Sequence, residues 1–260
     1  LYFCAKLEIK INVMIDNMKL RTSIRRYTAE DIPEAELEEL LEIAERASNT
    51  GNMQLYSVVI TRDKKMKEML APAHFNQSMI TCAPVVLTFC ADANRFVRWA
   101  EARKAVPGFD NFETFIAATI DTVIFAEAFA EAAEERGLGI CYIGTTTYNA
   151  GPIIDALKLP RLVVPIVTIT VGHPAESPAC SERLPLAAII HPEHYSDYSS
   201  SDINLLYAEK EALEVNKKFV EENKKETLAQ VFTDVRYTKA NNEFFSDEFK
   251  KVLIKQGFLH

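Results

Sequence analysis

At 260 residues the chain can bury one large core or two modest ones. A composition of 48% hydrophobic and 25% charged residues reads as an ordinary soluble globular protein and excludes a disordered or fibrous one. With 37 acidic against 29 basic side chains the formal net charge is −8, which argues against general nucleic-acid binding, since that needs a basic face able to displace counterions. The first element in chain order, residues 1–15, reads as an N-terminal extension of added or upstream residues, with Met14 or Met18 as natural starts. Its lysines and glutamate break any apolar window and no A-x-A-like site follows, so it makes a poor signal peptide. Next comes "RTSIRRY" (21–27), three arginines and three hydroxyls in seven positions. In an acidic chain, such a cluster suits a small, specific anion; arginines at a helix end are the plainer reading.

Apolar residues at helical spacing (Leu37, Leu40, Leu41, Ala44) predict a helix over 32–48. Residues 56–61, rich in Val and Ile, read as a strand, and the continuous apolar run at 83–92 as a strand covered on both faces. Residues 112–136 predict a helix closed by Gly137. Between Phe115 and Ala133 only Asp121, Glu127 and Glu131 are charged, so this helix should be buried all round, in the core or against another subunit. A membrane span is rejected, because three carboxylates would each cost about 2.5–3.5 kcal/mol there. A central helix at a homodimer interface is preferred. Residues 138–144 and 163–174 read as the last two strands, which makes the class α+β or α/β. Beyond residue 198 the chain turns charged and helical, either a solvated arm or a segment reaching the active site.

Five scattered cysteines (Cys4, Cys82, Cys90, Cys141, Cys180), with no CxxC pair, point to reduced thiols in a cytoplasmic compartment. The five histidines show no metal-ligand spacing, so no metal is expected. No G-x-S-x-G elbow, G-x-G-x-x-G or GxxxxGK[ST] loop occurs. A bound phosphate would therefore be held by side chains, which returns attention to Arg21, Thr22, Ser23 and Arg25. Arginine grips phosphate bidentately and stays charged at every relevant pH. Four further stretches stand in order behind that cluster: "ASNTGNMQ" (47–54), "NQSMITCAPVV" (76–86), "GLGICYIGTT" (137–146) and "VGHPAESPACSERLP" (171–185).

Over residues 16–195 this ordered set resembles the FMN-dependent nitroreductase family, in its oxygen-insensitive, NADPH-dependent nitroreductase and flavin reductase branch. The resemblance implies an α+β homodimer with a central mixed, mostly antiparallel sheet flanked by helices. It implies an FMN-binding domain over 16–198 and a helical C-terminal arm over 199–260. Carried over by position, Arg21, Ser23 and Arg25, with Thr22 between, would grip the FMN phosphate and part of the polar edge. Ser48, Asn52 and Gln54 would lie against the ribityl chain and ring, and Gln77 would contact the flavin. The turn Ile143–Gly144–Thr145 would aim backbone N–H groups at N5 and O4, and Arg183 would join the phosphate site.

Three departures from the family pattern stand out. A phosphate-site lysine is Ser181 here, and a Gly-Gly turn is Gly144–Thr145. After Asn241 and Asn242 come Glu243 and Phe244 where relatives carry arginines, which leaves NADH or NADPH open as hydride donor, with Arg236 and Lys239 as substitutes. The implied activity is ping-pong reduction of a small aromatic acceptor (nitroaromatic, quinone or flavin) with no side-chain general base. The alternatives are a flavin reductase supplying free reduced FMN and a non-catalytic flavin-binding module. Neither nucleic acid nor membrane is an expected partner. Cys141 reads as a reactive thiol or a buried small hydrophobe. Phe109, Phe112, Phe244 and Phe245 read as an apolar roof over the flavin or as packing. Trp99, among Arg95, Arg98 and Arg103, reads as part of a surface helix.

Overall fold

The computed structural model describes residues 18–260, so the expected N-terminal extension lies outside the described residues. Strands β1 (Tyr56–Thr61), β2 (Val85–Asp92), β3 (Gly139–Ile143) and β4 (Val163–Gly172) form one sheet in the order β1-β2-β4-β3. All three pairings are antiparallel, so the described sheet is wholly antiparallel and not mixed. β1 with β2, and β3 with β4, are consecutive strands whose helical connections return at the same end of the sheet, while β2 and β4 pair across a longer stretch of chain.

Side chains alternate across a strand, and β2 uses both faces. Its whole length is buried. Val85, Leu87 and Phe89 pack with Leu37 and Leu40 of α1 (Glu34–Ala44) and with a row on a later helix, Phe125, Ala126 and Phe129. Val86 faces the other way, toward Leu70 of α2 (Lys64–Leu70) and Ile80 of α3 (Ser78–Cys82). After β2 come α4 (Asn94–Ala102), α5 (Phe112–Glu135), which carries that phenylalanine row, and α6 (Ala150–Leu157). The sheet is thus a central layer with helices on both faces. Helix α1 is shorter than the expected 32–48. It starts behind the extended Pro33, and past Ala44 two of its bonds tighten to three-residue spacing, Arg46 N to Ile43 O (3.2 Å) and Ala47 N to Ala44 O (3.0 Å).

Helix α5 begins where the Asn111 side chain accepts from Thr114 N (3.0 Å) and ends at left-handed Gly137 (φ +77°). It is not buried all round. Thr122, Ala126, Phe129 and Ala133 face the sheet, while Ile116, Ile120, Val123 and Ile124 stand 36%, 52%, 44% and 38% exposed. Within one protomer an apolar stripe of this helix is open. No helix among the described residues is long and apolar enough to cross a membrane.

The contacts divide the chain into two compact units. One takes the described residues through Ala179 together with Phe245–His260; the other is Cys180–Phe244, so residue 198 falls inside the second. The second unit contains α7 (Ser200–Ala212), opened by a Ser199–Asp202 capping box, α8 (Glu214–Glu222) and a π-helical turn at Val231–Arg236. Helix α9 (Lys239–Gln256) closes the chain; its Leu253 packs with Phe258 and Phe115 in the first unit.

Candidate functional site

Edge strand β3 gathers one group of candidate residues. Residues 21–27 run as a strap along it, with Ile24 N donating to Ile140 O (2.9 Å). The approach is close enough that a Cβ on Gly139 would stand 2.7 Å from Ile24 side-chain atoms, so glycine is required there. Tyr27 pins the far end: its hydroxyl lies 2.7 Å from Ile24 O and 2.7 Å from Thr170 Oγ1. Burial pushes the Tyr27 phenol above its usual value, so it stays protonated.

The arginines of the strap have different fates. Arg21 pairs with Glu134 of α5 (3.5 Å) and lies over the Tyr142 ring (5.8 Å). Burial raises the Glu134 pKa, and Arg21 partly offsets that. Glu176 accepts from the backbone N–H groups of Arg25 (2.7 Å) and Arg26 (3.1 Å), and its other oxygen pairs with the Arg26 guanidinium (3.8 Å). The Arg25 side chain is exposed and has no acid partner among the described residues. Ser23 is half-buried beside it, and Thr22 Oγ1 makes a long contact to Ala179 O (3.5 Å).

The end of β3 carries the turn Ile143–Gly144–Thr145. Ile143 is buried and Gly144 exposed; a Cβ on Gly144 would meet open space. The Thr146 hydroxyl donates to Ile143 O (2.9 Å) and holds the turn closed. A second segment, far away in sequence, meets it. His74 Nδ1 lies 3.0 Å from Thr145 Oγ1, the Gln77 amide donates to the same oxygen at 3.5 Å, and Asn149 Nδ2 donates to Ala73 O (2.8 Å). Left-handed Phe75 (φ 53°) and Asn76 (φ 54°) turn the chain from His74 to Gln77. His74 is fully buried, and desolvation lowers its pKa to about 4, so it is neutral at physiological pH. Phe245 stacks on Tyr148 (4.5 Å, 7°) and meets Phe75 edge-on (6.1 Å). Tyr148 and Phe75 lie next to this turn and its partner segment, so Phe245 packs beside them.

Ser48, Asn52 and Gln54 lie elsewhere, in the loop leading into β1 at the opposite edge of the sheet. Gly51, Asn52 and Gln54 all have positive φ (56°, 57° and 54°). What holds this unusual backbone is Asp121 of α5, 1% exposed. Its Oδ1 accepts from Thr50 N and Thr50 Oγ1 (both 2.8 Å) and its Oδ2 from Leu55 N (3.4 Å). Asn52 Oδ1 in turn accepts from the Gln54 amide (3.3 Å).

The remaining candidates separate. Arg183 is exposed in the second unit, with its guanidinium on the carbonyls of Ser181 (3.3 Å) and Glu182 (3.0 Å). Arg236 sits over the Phe219 ring (4.3 Å), and Lys239 pairs with Glu243 (3.6 Å). Cys141 is a buried hydrophobe beside Ile143, its pKa raised by burial, which keeps it a thiol. Phe109 packs edge-on against Phe96 (4.9 Å), and Phe112 stacks near Phe115 (6.2 Å). Trp99 is exposed on α4, as a surface helix would have it.

Sequence reading missed the residues that organise the site. Asp121 stood out only as one of three acids on an apolar helix, the signal that could have marked it as an anchor. His74 gave no signal, since nothing near it in sequence tells that it meets Thr145, 71 positions on.

Strap, turn and loop are thus arranged around an antiparallel sheet layered between helices, a class of α+β protein with polar clusters at both sheet edges. The model of the Nitroreductase family matches residues 18–173, and the chain belongs to that family. It is 31% identical over 258 residues, 95% of this chain and 98% of the relative, to the NAD(P)H-type FMN reductase of Bacillus subtilis (strain 168). It is 30% identical over 174 residues, 66% of this chain and 70% of the relative, to the oxygen-insensitive NADPH nitroreductase of Salmonella typhimurium. A crystal structure from Bacteroides fragilis superposes with a TM-score of 0.93 at 59% identity, covering 94% of this chain and 100% of that one.

Proposed function

We propose that this chain is an FMN-dependent NAD(P)H oxidoreductase that works as a cytoplasmic homodimer on small aromatic electron acceptors such as nitroaromatics, quinones or flavins. The observation that carries the reading is the convergence on β3: the strap with its exposed Arg25 and the Gly144–Thr145 turn hang on one strand, and Gln77 reaches that turn from a distant segment. These residues fit the cofactor. Arg25 is an exposed cation without an acid partner among the described residues, suited to the phosphate; Gln77 and Thr145 offer polar hydrogens together, and open space stands over Gly144. When bound, FMN supplies the two-electron chemistry, taking hydride from the nicotinamide and passing it to the acceptor. The chain's own part is to bind and orient: Arg25 and Ser23 hold the phosphate, and the N–H groups of Gly144 and Thr145 face the ring. The Phe245–Tyr148 stack gives a flat acceptor an apolar wall.

What supports a homodimer is the split between the edges. The Ser48, Asn52 and Gln54 loop is three strand spacings, about 14 Å, from β3, so one protomer offers two half-sites. A two-fold axis lets the loop of one protomer complete the strap and turn of its partner. The open Ile116, Ile120, Val123 and Ile124 stripe supplies an apolar face for that contact. Residues 16–198 carry the cofactor in this reading, and residues 199–260 form a helical arm. The free Cys82, Cys90 and Cys141 suit a reducing compartment.

Because the Bacillus subtilis relative is named for FMN reduction, free FMN is tested as an acceptor alongside the others. The test is to load the protein with FMN, record its visible spectrum, and add NADPH or NADH without oxygen. Bleaching, reversed on addition of nitrofurazone, menadione or free FMN, is the expected result, and the fastest acceptor separates nitroreductase from flavin reductase. Bound flavin that never bleaches would make the chain a flavin-binding module and end the proposal.

A further inference from the structure

We propose that the Thr145 hydroxyl donates a hydrogen bond to the bound flavin, and that His74 is the positioning residue that leaves its proton free to do so. The inference rests on the flavin reading above. It starts from the hydrogen count at one oxygen. A threonine hydroxyl has one hydrogen to give and two lone pairs to receive. Two nitrogens approach Thr145 Oγ1: the Gln77 amide, which donates at 3.5 Å, and His74 Nδ1 at 3.0 Å, which donates or accepts according to its tautomer.

The other imidazole nitrogen settles the tautomer. His74 Nε2 is buried and has no hydrogen-bond partner among the described residues. A buried N–H without an acceptor is rarer and more costly than an unfilled acceptor site, so the hydrogen belongs on Nδ1 and Nε2 keeps a bare lone pair. Burial also keeps the ring neutral, so a second hydrogen never appears on Nε2 at physiological pH. His74 then donates to Thr145, Gln77 donates to Thr145, and both lone pairs are filled. The hydroxyl's own hydrogen meets no acceptor among the described residues. Thr145 is itself half-buried and follows the exposed Gly144, over which space is open, so that hydrogen is available to a ligand bound at the turn.

The chemical consequence is directional. Two-electron reduction adds negative charge to a flavin, and a hydrogen bond to a charged acceptor is roughly twice as strong as one to a neutral acceptor. A donor fixed at this turn favours the reduced flavin over the oxidised one and raises its midpoint potential. His74 touches no flavin atom in this account; it works only through the orientation of Thr145.

Two measurements on the full-length chain test this. Isotope-edited NMR of the imidazoles in the wild-type protein should show His74 protonated at Nδ1; a hydrogen on Nε2 would overturn the assignment. The second measurement is the midpoint potential of bound FMN. Thr145→Val keeps the shape and removes the hydroxyl, and should lower the preference for reduced FMN about tenfold, a fall of about 30 mV for a two-electron couple. Thr145→Ser should hold the wild-type value. His74→Leu should lower the potential part of the way and add nothing on top of Thr145→Val. His74→Asn, whose amide nitrogen takes the place of Nδ1, should restore it, and stands as the informative variant if His74→Leu fails to fold. Equal potentials for wild type and Thr145→Val, both loaded with FMN, would refute the inference and leave the flavin reading standing. A wild-type chain that takes up no FMN would remove both.

Discussion

The loop over residues 49–55 and the turn over residues 143–146 are each held by one buried side chain from a distant segment, but of opposite kinds. The loop hangs on Asp121, an acid with three donors placed on its two oxygens. The turn hangs on His74, a neutral ring with one nitrogen engaged and the other without a partner among the described residues. A charged anchor organises several donors at once, because a carboxylate accepts on two oxygens, but removing it strands all of them in a dry setting. A neutral anchor is cheaper to bury, yet it ties the turn to pH. Helix α5 bears on both edges: Asp121 holds the loop, while Glu127 accepts from the Tyr142 hydroxyl (2.7 Å) and Glu134 pairs with Arg21 at the β3 edge.

The contrast breaks first at the acid. Asp121→Ala leaves Thr50 N, Thr50 Oγ1 and Leu55 N without their acceptor and should cost about 4 kcal/mol in urea unfolding, with Asp121→Asn losing about half of that. The neutral anchor shows itself in pH. Folding holds the His74 pKa near 4 against an ordinary 6.5, so the unfolded chain binds the extra proton first. Stability from this group is complete above pH 6.5, falls by about 3 kcal/mol as pH drops toward 4, and falls no further below that. His74→Asn should flatten that slope in unfolding curves taken across the window.

Smaller effects sharpen the picture at the β3 edge. Arg25→Ala should weaken FMN binding about 30-fold, roughly 2 kcal/mol, when titrated by flavin fluorescence. Its urea midpoint should stay put, because the exposed side chain has no acid partner to lose. Tyr142→Phe removes the hydroxyl that α5 accepts through Glu127 and should cost about 1 kcal/mol of stability, with FMN affinity unchanged.

The layers of this fold were legible because their signals are periodic. The apolar run of β2 announced a strand covered on both faces, and Gly137 marked where α5 stops. The amide-rich composition of residues 47–54 marked a loop, but not the left-handed backbone that Gly51, Asn52 and Gln54 adopt in it. Pairing was not legible. Nothing local says that Arg21 will find Glu134, 113 positions away, or that Glu176 will take the backbone N–H groups of Arg25 and Arg26. The split of the candidates between sheet edges was hidden for the same reason, since strand order is set by long-range packing and not by spacing along the chain. The all-round apolar look of α5 did not say which face packs in the core and which stays open in the single chain, because composition cannot distinguish the two.

The central claim is that each cofactor site is built from the strap and turn of one protomer and the loop of its partner. Mixed dimers test it most directly. An Arg25→Ala chain is co-expressed with an Asn52→Ala/Gln54→Ala chain, each under its own affinity tag, and dimers carrying both tags are assayed for bound FMN. Sites shared across the two-fold leave one site intact and one doubly damaged, so these dimers should hold about half the wild-type flavin while each parent dimer holds far less. Mixed dimers as empty as both parents would show that strap and loop of a single chain serve the same site, and would contradict the account.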